Sequence, residues 1–354
     1  MTTLAIGERP VGRDAPPYLI ADIGANHDGS LERALHLCEL AAHAGAHAAK
    51  FQNFQAPTIV SRRGFDELPK MAHQAAWTTS VYDAYAAASI SLGWTEPLAA
   101  RCGELGIEYL TTPYALDLAD AVDPYVRAFK IGSGDVTWPE LLRHVAAKGK
   151  PVLLGTGAST LEDVERALEQ LAAAPGVVLM QCNTNYTGDE ANLGYVNLRV
   201  LGLYAERFPQ AVLGLSDHTP GHVTAVAAVA LGARVIEKHF TDDTTRDGPD
   251  HGFAMTPATW RDMASAVEVA YEALGDGVKR VEDNEVDSAV VQRRALRFAS
   301  DLPAGHRLTA ADLVATRPIP ADGLEPYRAP EVVGRALRRA IAADELVRTA
   351  DLEG

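Results

Sequence analysis

The sequence predicts a (β/α)₈ barrel followed by a small, mainly β domain. Over roughly the first 280 residues, eight apolar strand-like segments alternate with helix-like segments. Eight such units in about 250 residues favour a closed barrel over an open doubly wound sheet. No G-x-G-x-x-G motif follows the first strand, which counts against a dinucleotide-binding domain. We predict a barrel over residues 1–287 and the small domain over residues 288–354.

Each strand candidate is a short apolar run that is followed by a helical pattern. In chain order the runs are YLIADIG, AHAAKFQNF, IEYLTTP, RAFKIGSG, PVLLGTG, GVVLMQCN, AVLGLSDHT and ARVIEKHF. Ser30 and Thr160 stand where helix N-caps are expected. The segment from Gln55 to Leu92 contains prolines, a glycine and aromatic residues, and it is predicted to be an inserted loop with short helices.

Composition and charge exclude several classes of protein. The 354 residues are 47% hydrophobic and 22% charged, which is typical of a globular protein, and the net charge of −15 argues against a nucleic-acid partner. The three cysteines are widely spaced and odd in number, so no disulfide framework is expected. No segment of about 20 apolar residues predicts a membrane span. The N-terminus lacks the apolar core of a signal peptide, so we expect a cytoplasmic protein.

Polar side chains collect at the carboxyl ends of the predicted strands, the face on which barrel enzymes carry their active sites. This composition is typical of a site for an anion and a metal. The residues, strand by strand, are Asp22, Asn26 and His27; Lys50 and Gln52; Thr111 and Thr112; Lys130, Ser133 and Asp135; Thr156; Thr184 and Tyr186; Ser216 and His218; Lys238 and His239.

His218 and His239 end two consecutive strands that a right-handed crossover makes parallel neighbours. Two imidazoles in one cleft suit a divalent transition metal, and each has a carboxylate near it in the sequence, Asp217 for His218 and Glu237 for His239. The alternative is that both are ordinary polar residues at strand exits. The matched placement favours the metal.

Lys50 and Lys130 end two other strands and are expected to converge on an anion. Ser133 and the glycines beside it would add hydroxyl and backbone N–H donors, so a phosphate fits this position. The alternatives are that each lysine pairs with a local carboxylate, such as Asp135 for Lys130, or that one of them forms a Schiff base.

Together these segments resemble the sialic acid (N-acetylneuraminate) synthase family along the whole chain. The resemblance depends on the order and spacing of IADIGANHDG, AAKFQNF, TTPY, FKIGSGD, GTGAS, GLSDHT, VIEKHFT and GPDH, and on QRRAL, TRP and GRALRRAIAADE in the tail, which resembles the antifreeze-like (SAF) domain. The resemblance implies a homodimer with a swapped C-terminal domain. It also implies condensation of phosphoenolpyruvate with an N-acetylmannosamine-like aldose to give a nonulosonic acid and phosphate. The implied cofactor is a divalent metal, typically Mn²⁺, with Mg²⁺ and Co²⁺ as alternatives.

The resemblance also implies roles for individual residues. His218 and His239 match metal ligands, and with Asp22 and Asp135 they are the predicted catalytic set. The predicted substrate contacts are Lys50, Gln52, Thr112, Lys130 and Ser133 for phosphoenolpyruvate, and Thr184, Tyr186, Ser216 and Asp250 around the acceptor. Arg317, in TRP, matches an arginine that reaches the partner subunit's active site and contacts the acetamido group of the acceptor.

The chain departs from the family pattern at several of these positions. Asp22 and Asp135 replace glutamates, and we expect them to act over a longer distance or through water. The other replacements are Gly155 for serine, Gln181 for histidine, Thr187 for proline and Ile319 for glycine. We interpret this as a retained reaction type with an altered acceptor. The alternatives are the same condensation with a different aldehyde, in a secondary-metabolite pathway, and a non-catalytic barrel that binds a sugar phosphate.

Overall fold

The computed structural model describes residues 3–69, 74 and 79–353, and the chain divides into two compact units, Met1–Gly275 and Asp276–Gly354. The boundary that we predicted after residue 287 lies inside a short helix of the second unit, Val286–Gln292. In the predicted insert, residues 70–73 and 75–78 lie outside the described part.

The first unit is built on eight parallel strands, as predicted. In chain order the strands of the protein are β1 Thr3–Ile6, β2 Arg9–Gly12, β3 Tyr18–Asp22, β4 Ala48–Asn53, β5 Glu108–Pro113, β6 Phe129–Ile131, β7 Val152–Gly155, β8 Val177–Cys182, β9 Val212–Asp217, β10 Val235–His239, β11 Ala295–Phe298 and β12 Leu313–Thr316. Hydrogen bonds join the barrel strands in the order β5-β4-β3-β10-β9-β8-β7-β6. Because β5 and β6 also lie against each other, the sheet nearly closes on itself.

Helices follow the strands and cover the outside of the barrel. The helices of this first unit are α1 Leu31–His43, α2 Ala56–Ile59, α3 Arg62–Asp66, α4 Val81–Ala88, α5 Thr95–Glu104, α6 Leu116–Val122, α7 Pro139–Ala146, α8 Leu161–Gln170, α9 Val200–Arg207, α10 Val223–Ala230 and α11 Pro257–Ala273. The second unit contains α12 Val286–Gln292 and α13 Ala329–Val332. Ser30 caps α1 by accepting the N–H of Arg33, and Thr160 begins α8 with a capping box, as predicted. The insert carries α2, α3 and α4.

A hairpin that we did not predict plugs the barrel at the amino ends of its strands. β1 and β2 pair antiparallel, and their side chains Leu4, Ile6 and Val11 belong to the apolar cluster formed by the inward side chains of the barrel strands. That cluster includes Ile20 and Val178, both fully buried. The hairpin therefore leaves the carboxyl ends of the strands as the open face of the barrel.

The second unit has an apolar core of its own. β11 and β12 pair antiparallel, and ten buried residues, among them Leu296, Phe298 and Leu337, form one cluster. The segment that leads into this unit, residues 276–288, is exposed. As expected for the tail, this unit consists mainly of short strands and turns.

Strand alternation turns Asp217 and Lys238 away from the barrel interior, because their neighbours Ser216, His218 and His239 point inward. The Lys238 ammonium donates to the Asp217 carboxylate and to the carbonyl of Thr219, 2.7 Å away. Both ionic groups are buried. Lys238 is thus a structural residue and does not belong to the polar set at the barrel mouth, where we had placed it.

The Asp217→Ala change should lower the free energy of unfolding by about 3–5 kcal/mol, because it leaves the Lys238 ammonium buried without its counterion. Equilibrium urea unfolding measures this loss. The double variant Asp217→Leu, Lys238→Met should recover most of it, because the unpaired charge is then gone. Equal loss in both variants would contradict this explanation.

Candidate active site

A cavity of about 450 Å³ opens at the carboxyl ends of the barrel strands. This size is ordinary for a pocket that binds a small molecule. Every barrel residue to which we assigned a catalytic, metal-binding or substrate-binding role lines it: Asp22, Lys50, Gln52, Thr112, Lys130, Ser133, Asp135, Thr184, Tyr186, Ser216, His218, His239 and Asp250. Of the wider polar set at the strand ends, Asn26, His27, Thr111, Thr156 and Lys238 are not part of this lining. Arg317 is exposed and follows β12 in the second unit.

Two buried ion pairs hold the predicted lysines. The Lys50 ammonium is 2.8 Å from an Asp22 carboxylate oxygen, and the Lys130 ammonium donates to Glu237 over 2.9 Å. The partner of Lys130 is therefore Glu237, and the suggested pairing with Asp135 was wrong. Burial by itself favours the neutral form of Asp22, but Lys50 and His239 outweigh it and lower its pKa to about 2. Both lysine heads are thus balanced by carboxylates at the same cavity.

Sequence reasoning named Glu237 only as a carboxylate near His239 and did not predict its pairing with a lysine. Burial would raise the pKa of this carboxyl, but the nearby Lys130 and Lys50 lower it. Ser216 donates to the Glu237 oxygen that Lys130 also contacts, over 2.9 Å, and the second carboxylate oxygen has no hydrogen-bond partner. Strand alternation could have placed Glu237 in the site, because Glu237 is two residues before His239 and so shares its face of β10.

The two predicted metal ligands meet in the cavity with their ring centroids 5.4 Å apart. His218 Nδ1 is 2.9 Å from the carbonyl oxygen of Asn183. A carbonyl can only accept, so Nδ1 carries the hydrogen and His218 Nε2 is left as a lone-pair donor. The rings of Tyr186 and Phe253 pack against both imidazoles.

The carboxylates beside His239 are different from those that we predicted. Asp22 Oδ2 lies 3.3 Å from His239 Nε2, and Asp250 Oδ2 lies 3.7 Å from His239 Nδ1. Asp217 faces away from the cavity, as described above. Sequence neighbours of a strand residue point to the opposite face of the sheet, which is why adjacency in sequence misled us for Asp217.

The described residues contain no group of three or more His, Cys, Asp or Glu side chains arranged to hold a metal ion. A metal at this site would therefore depend on His218 and His239, with water or substrate as further ligands. His239 Nδ1 is buried without a hydrogen-bond partner, which leaves a donor atom of this ring unused. The two imidazoles are a donor set that suits a divalent transition metal.

Ser133 orders the turns on the other side of the cavity. Its hydroxyl oxygen accepts the backbone N–H of Gly157 over 2.9 Å. A Cβ atom at Gly155 would lie 3.0 Å from the same hydroxyl oxygen, so a serine there would require Ser133 to shift. Glycine at position 155 therefore leaves room for the Ser133 hydroxyl in the position that it takes in this chain. Thr156 points elsewhere, because its hydroxyl donates to the carbonyl of Met180.

Asp135 differs electrostatically from the other carboxylates of the cavity. It lies in a 3₁₀ turn, Ser133–Asp135, and its buried Oδ2 has no hydrogen-bond partner. Burial raises its pKa to about 6. Asp135 is therefore the acid of this cavity that can hold a proton near neutral pH, whereas Asp22 stays ionised.

The loops after β3 and β10 hold each other and thereby position Asp250. His251 is buried and bridges the hydroxyl of Thr241 and the carboxylate of Asp28, each over 2.8 Å. The backbone N–H of Ala25 donates to Asp250 Oδ2 over 2.9 Å. A side chain at Gly24, which has a φ of +51°, would collide with this carboxylate. The close approach of the two loops therefore requires glycine.

The loop after β8 accommodates two of the departures. The side-chain N–H₂ of Gln181 donates to the carbonyl of Val196 over 2.8 Å. The Thr187 hydroxyl accepts from the side chain of Asn192 over 2.9 Å. Both replaced residues thus form hydrogen bonds with residues of the segment that follows β8. Thr184 and Tyr186 of the same segment line the cavity.

Across the described residues, no helix is both long and apolar enough to cross a bilayer. All three cysteines, Cys38, Cys102 and Cys182, are free.

Comparison with known proteins agrees with this geometry. The NeuB family profile matches residues 37–279, and the SAF domain profile matches residues 293–353. The chain is 32% identical to the N,N'-diacetyllegionaminic acid synthase of Legionella pneumophila, over 95% of each chain. It is 27% identical to the N-acetylneuraminate-9-phosphate synthase of Mus musculus, over 98% of this chain and 95% of that one.

Among solved structures, the chain resembles the N-acetylneuraminic acid (sialic acid) synthetase of Leptospira borgpetersenii, crystallised with citrate. The TM-score is 0.71 at 26% identity, over 81% of this chain and 95% of that one. Three observations lead to one conclusion. The barrel has a polar cavity at its carboxyl face, the SAF domain profile matches the C-terminal part, and the relatives match over nearly the full length. The chain belongs to the NeuB family, and its relatives include proteins named N,N'-diacetyllegionaminic acid synthase and N-acetylneuraminate-9-phosphate synthase.

Proposed function

We propose that this protein condenses phosphoenolpyruvate with an aldose, of which N-acetylmannosamine is the model, to form a nonulosonic acid and inorganic phosphate. The observation that carries the proposal is the cavity itself, which brings two buried lysines and two histidines together in a chain of the NeuB family. The names of the relatives support the product class.

Lys50 and Lys130 would hold the phosphate and carboxylate of phosphoenolpyruvate. Both ammonium groups are buried and already charged against carboxylates, so an entering anion meets preorganised donors. Gln52, Thr112 and Ser133 line the same cavity and would complete the contacts to this substrate.

The acceptor would occupy the side of the cavity formed by Thr184, Tyr186, Ser216 and Asp250. Hydroxyl and carboxylate groups match the hydroxyls of a sugar, and the Tyr186 ring offers an apolar face. The altered loop after β8 adjoins this side, which supports an acceptor that differs from those of the named relatives.

A divalent metal, Mn²⁺ first and Mg²⁺ or Co²⁺ as alternatives, would be held by His218 and His239. When bound, such an ion supplies a Lewis acid for the aldehyde oxygen. The lone pair left on His218 Nε2 and the unused His239 Nδ1 support this assignment.

The reaction needs four proton movements, for which the cavity holds suitable groups. The methylene carbon of phosphoenolpyruvate attacks the aldehyde carbon, and the resulting alkoxide takes one proton. Water adds to C2 and loses a proton. The C2 hydroxyl then loses another proton as the C2–O bond to phosphate breaks, and the leaving phosphate takes up a proton. Asp135, with a pKa near 6, suits the donor role, and Asp22, which remains ionised, suits the acceptor role. Either carboxylate could act through a water.

A barrel that only binds a sugar phosphate is less well supported. Pure binding would not require two imidazoles with open nitrogens beside two buried ion pairs. A synthase that acts on another aldehyde keeps the same lysine and histidine chemistry and differs only on the acceptor side. The cytoplasm, where phosphoenolpyruvate is made, is the compartment that this reaction implies.

The test of the proposed function is release of phosphate that depends on both phosphoenolpyruvate and an aldose, with Mn²⁺ present. Lys130→Met should raise the KM for phosphoenolpyruvate by about 10- to 100-fold, because a charge-assisted contact is lost. The double variant Lys130→Met, Glu237→Gln controls for the carboxylate that the single change leaves unpaired. Unchanged phosphoenolpyruvate affinity by calorimetry in both variants would rule out this role for Lys130.

The metal proposal predicts that His218→Ala and His239→Ala proteins retain their fold but lose bound Mn²⁺ and turnover. Metal content after gel filtration and circular dichroism report the two properties separately. His222→Ala, a histidine that does not line the cavity, should keep both metal and activity. Chelation of the wild-type protein should abolish turnover until Mn²⁺ is restored. A double His218, His239 variant with normal metal content would refute the site.

We also propose a homodimer in which Arg317 completes the partner subunit's site by binding the acetamido oxygen of the acceptor. Arg317→Ala and His218→Ala chains should each be inactive alone. After subunit exchange, half of the dimers are mixed and each has one intact site, so about a quarter of the wild-type activity should return. A mixture of His218→Ala and His239→Ala chains is the control, because it contains no intact barrel. Verified mixed dimers without activity would mean that Arg317 does not act across subunits.

A further inference from the structure

A second hollow adjoins the active-site cavity at the rim of the barrel. We call this hollow of about 1300 Å³ the outer groove. It shares part of its lining with the cavity, namely Ala25, Ala84, Ala88, Tyr186 and Pro249. The two hollows therefore meet at these five residues, and a substrate that fills the cavity lies beside the groove.

Small and apolar side chains form one wall of the outer groove. α4 contributes Ala84, Ala87 and Ala88, and Phe253 adds an aromatic ring. Methyl-sized side chains leave room for a substituent but offer it no hydrogen bonds. This wall suits a methyl or acetyl group better than a strongly hydrated one.

The charged side chains of the groove do not favour an anion. Arg246 is the sole basic side chain among the described residues that line it. The Arg246 guanidinium donates twice to one oxygen of Asp28, over 2.9 and 2.7 Å. Asp28 and Asp247 both line the groove, and Asp250 lies where the cavity meets it. A phosphate here would compete with Asp28 for Arg246 and would face the other two carboxylates.

From this geometry we infer that the acceptor is an unphosphorylated aldose, whose far end carries neutral substituents against the alanine wall of α4. The inference rests on the proposed function and narrows it to one of two chemical classes. One relative is named for a 9-phosphate product and another for an unphosphorylated one, so the family includes both classes.

The test compares matched acceptors, each aldose against its own 6-phosphate, beginning with N-acetylmannosamine. We expect kcat/KM to be at least about 10-fold higher for the free sugar, because the terminal phosphate meets the carboxylates of Asp247 and Asp250, and Arg246, the sole basic side chain in the described lining, is already paired with Asp28. The difference should appear mainly in the KM of the acceptor, while the KM for phosphoenolpyruvate stays unchanged. Equal or better use of the 6-phosphate would overturn the inference.

A charge reversal in the groove locates the effect. Asp247→Lys should raise the kcat/KM ratio of phosphorylated to free acceptor by about 10-fold and leave the free acceptor nearly unaffected. Asp262→Lys makes the same charge change on α11, outside the groove, and should leave the ratio near that of the wild type. If both variants shift the ratio equally, overall charge and not the groove sets the preference, and the inference is wrong.

The outcomes separate the two proposals. Phosphate release with 6-phosphates alone leaves the proposed function standing and overturns the inference. If no member of any pair supports release, the proposed function fails. Calorimetric titration with N-acetylmannosamine and its 6-phosphate then decides the preference of the groove by binding alone, and tighter binding of the 6-phosphate overturns the inference.

Discussion

The two lysine–carboxylate pairs inside the barrel mouth are the constraint on which the site depends. A closed barrel brings Lys50 and Lys130 into a water-poor interior, where an unpaired ammonium would be strongly destabilising. Asp22 and Glu237 keep both lysines charged, and Asp22 also contacts His239. The lysine side and the histidine side of the cavity are therefore linked through the Asp22 carboxylate.

Much of this arrangement could be predicted, because the barrel is a regular object. Eight apolar runs with polar ends are sufficient to place Lys50, Thr112, Ser133 and His239 on one face, and the structure brings them to one cavity. The pairing of side chains was harder to predict, because it depends on strand register. Glu237 reaches Lys130 across the barrel interior, between strands β10 and β6 that are not neighbours in the sheet.

Other features had weak signals in the sequence. The β1–β2 hairpin has four residues in each strand, and only the buried positions of Leu4, Ile6 and Val11 reveal its role. Asp217 and Lys238 are charged residues at strand ends and so resemble site residues in the sequence. Strand alternation, however, turns their side chains away from the barrel interior. Arg317 is exposed in its own unit, so the role that we predict for it rests on the family resemblance and on its place after β12.

The β1–β2 hairpin determines from which end of the barrel molecules can reach the cavity. Because Leu4 and Ile6 close the amino ends of the strands, molecules reach the cavity from the opening at the carboxyl face of the barrel. Lys50 and Lys130 lie on the strands, whereas Tyr186 and Pro249 lie in the loops beyond them, nearer that opening. In the proposed reaction, an acceptor seated among the loops would lie between that opening and the lysines. We therefore expect the anion to bind first and the kinetics to be ordered, because the hairpin closes the opposite end of the barrel.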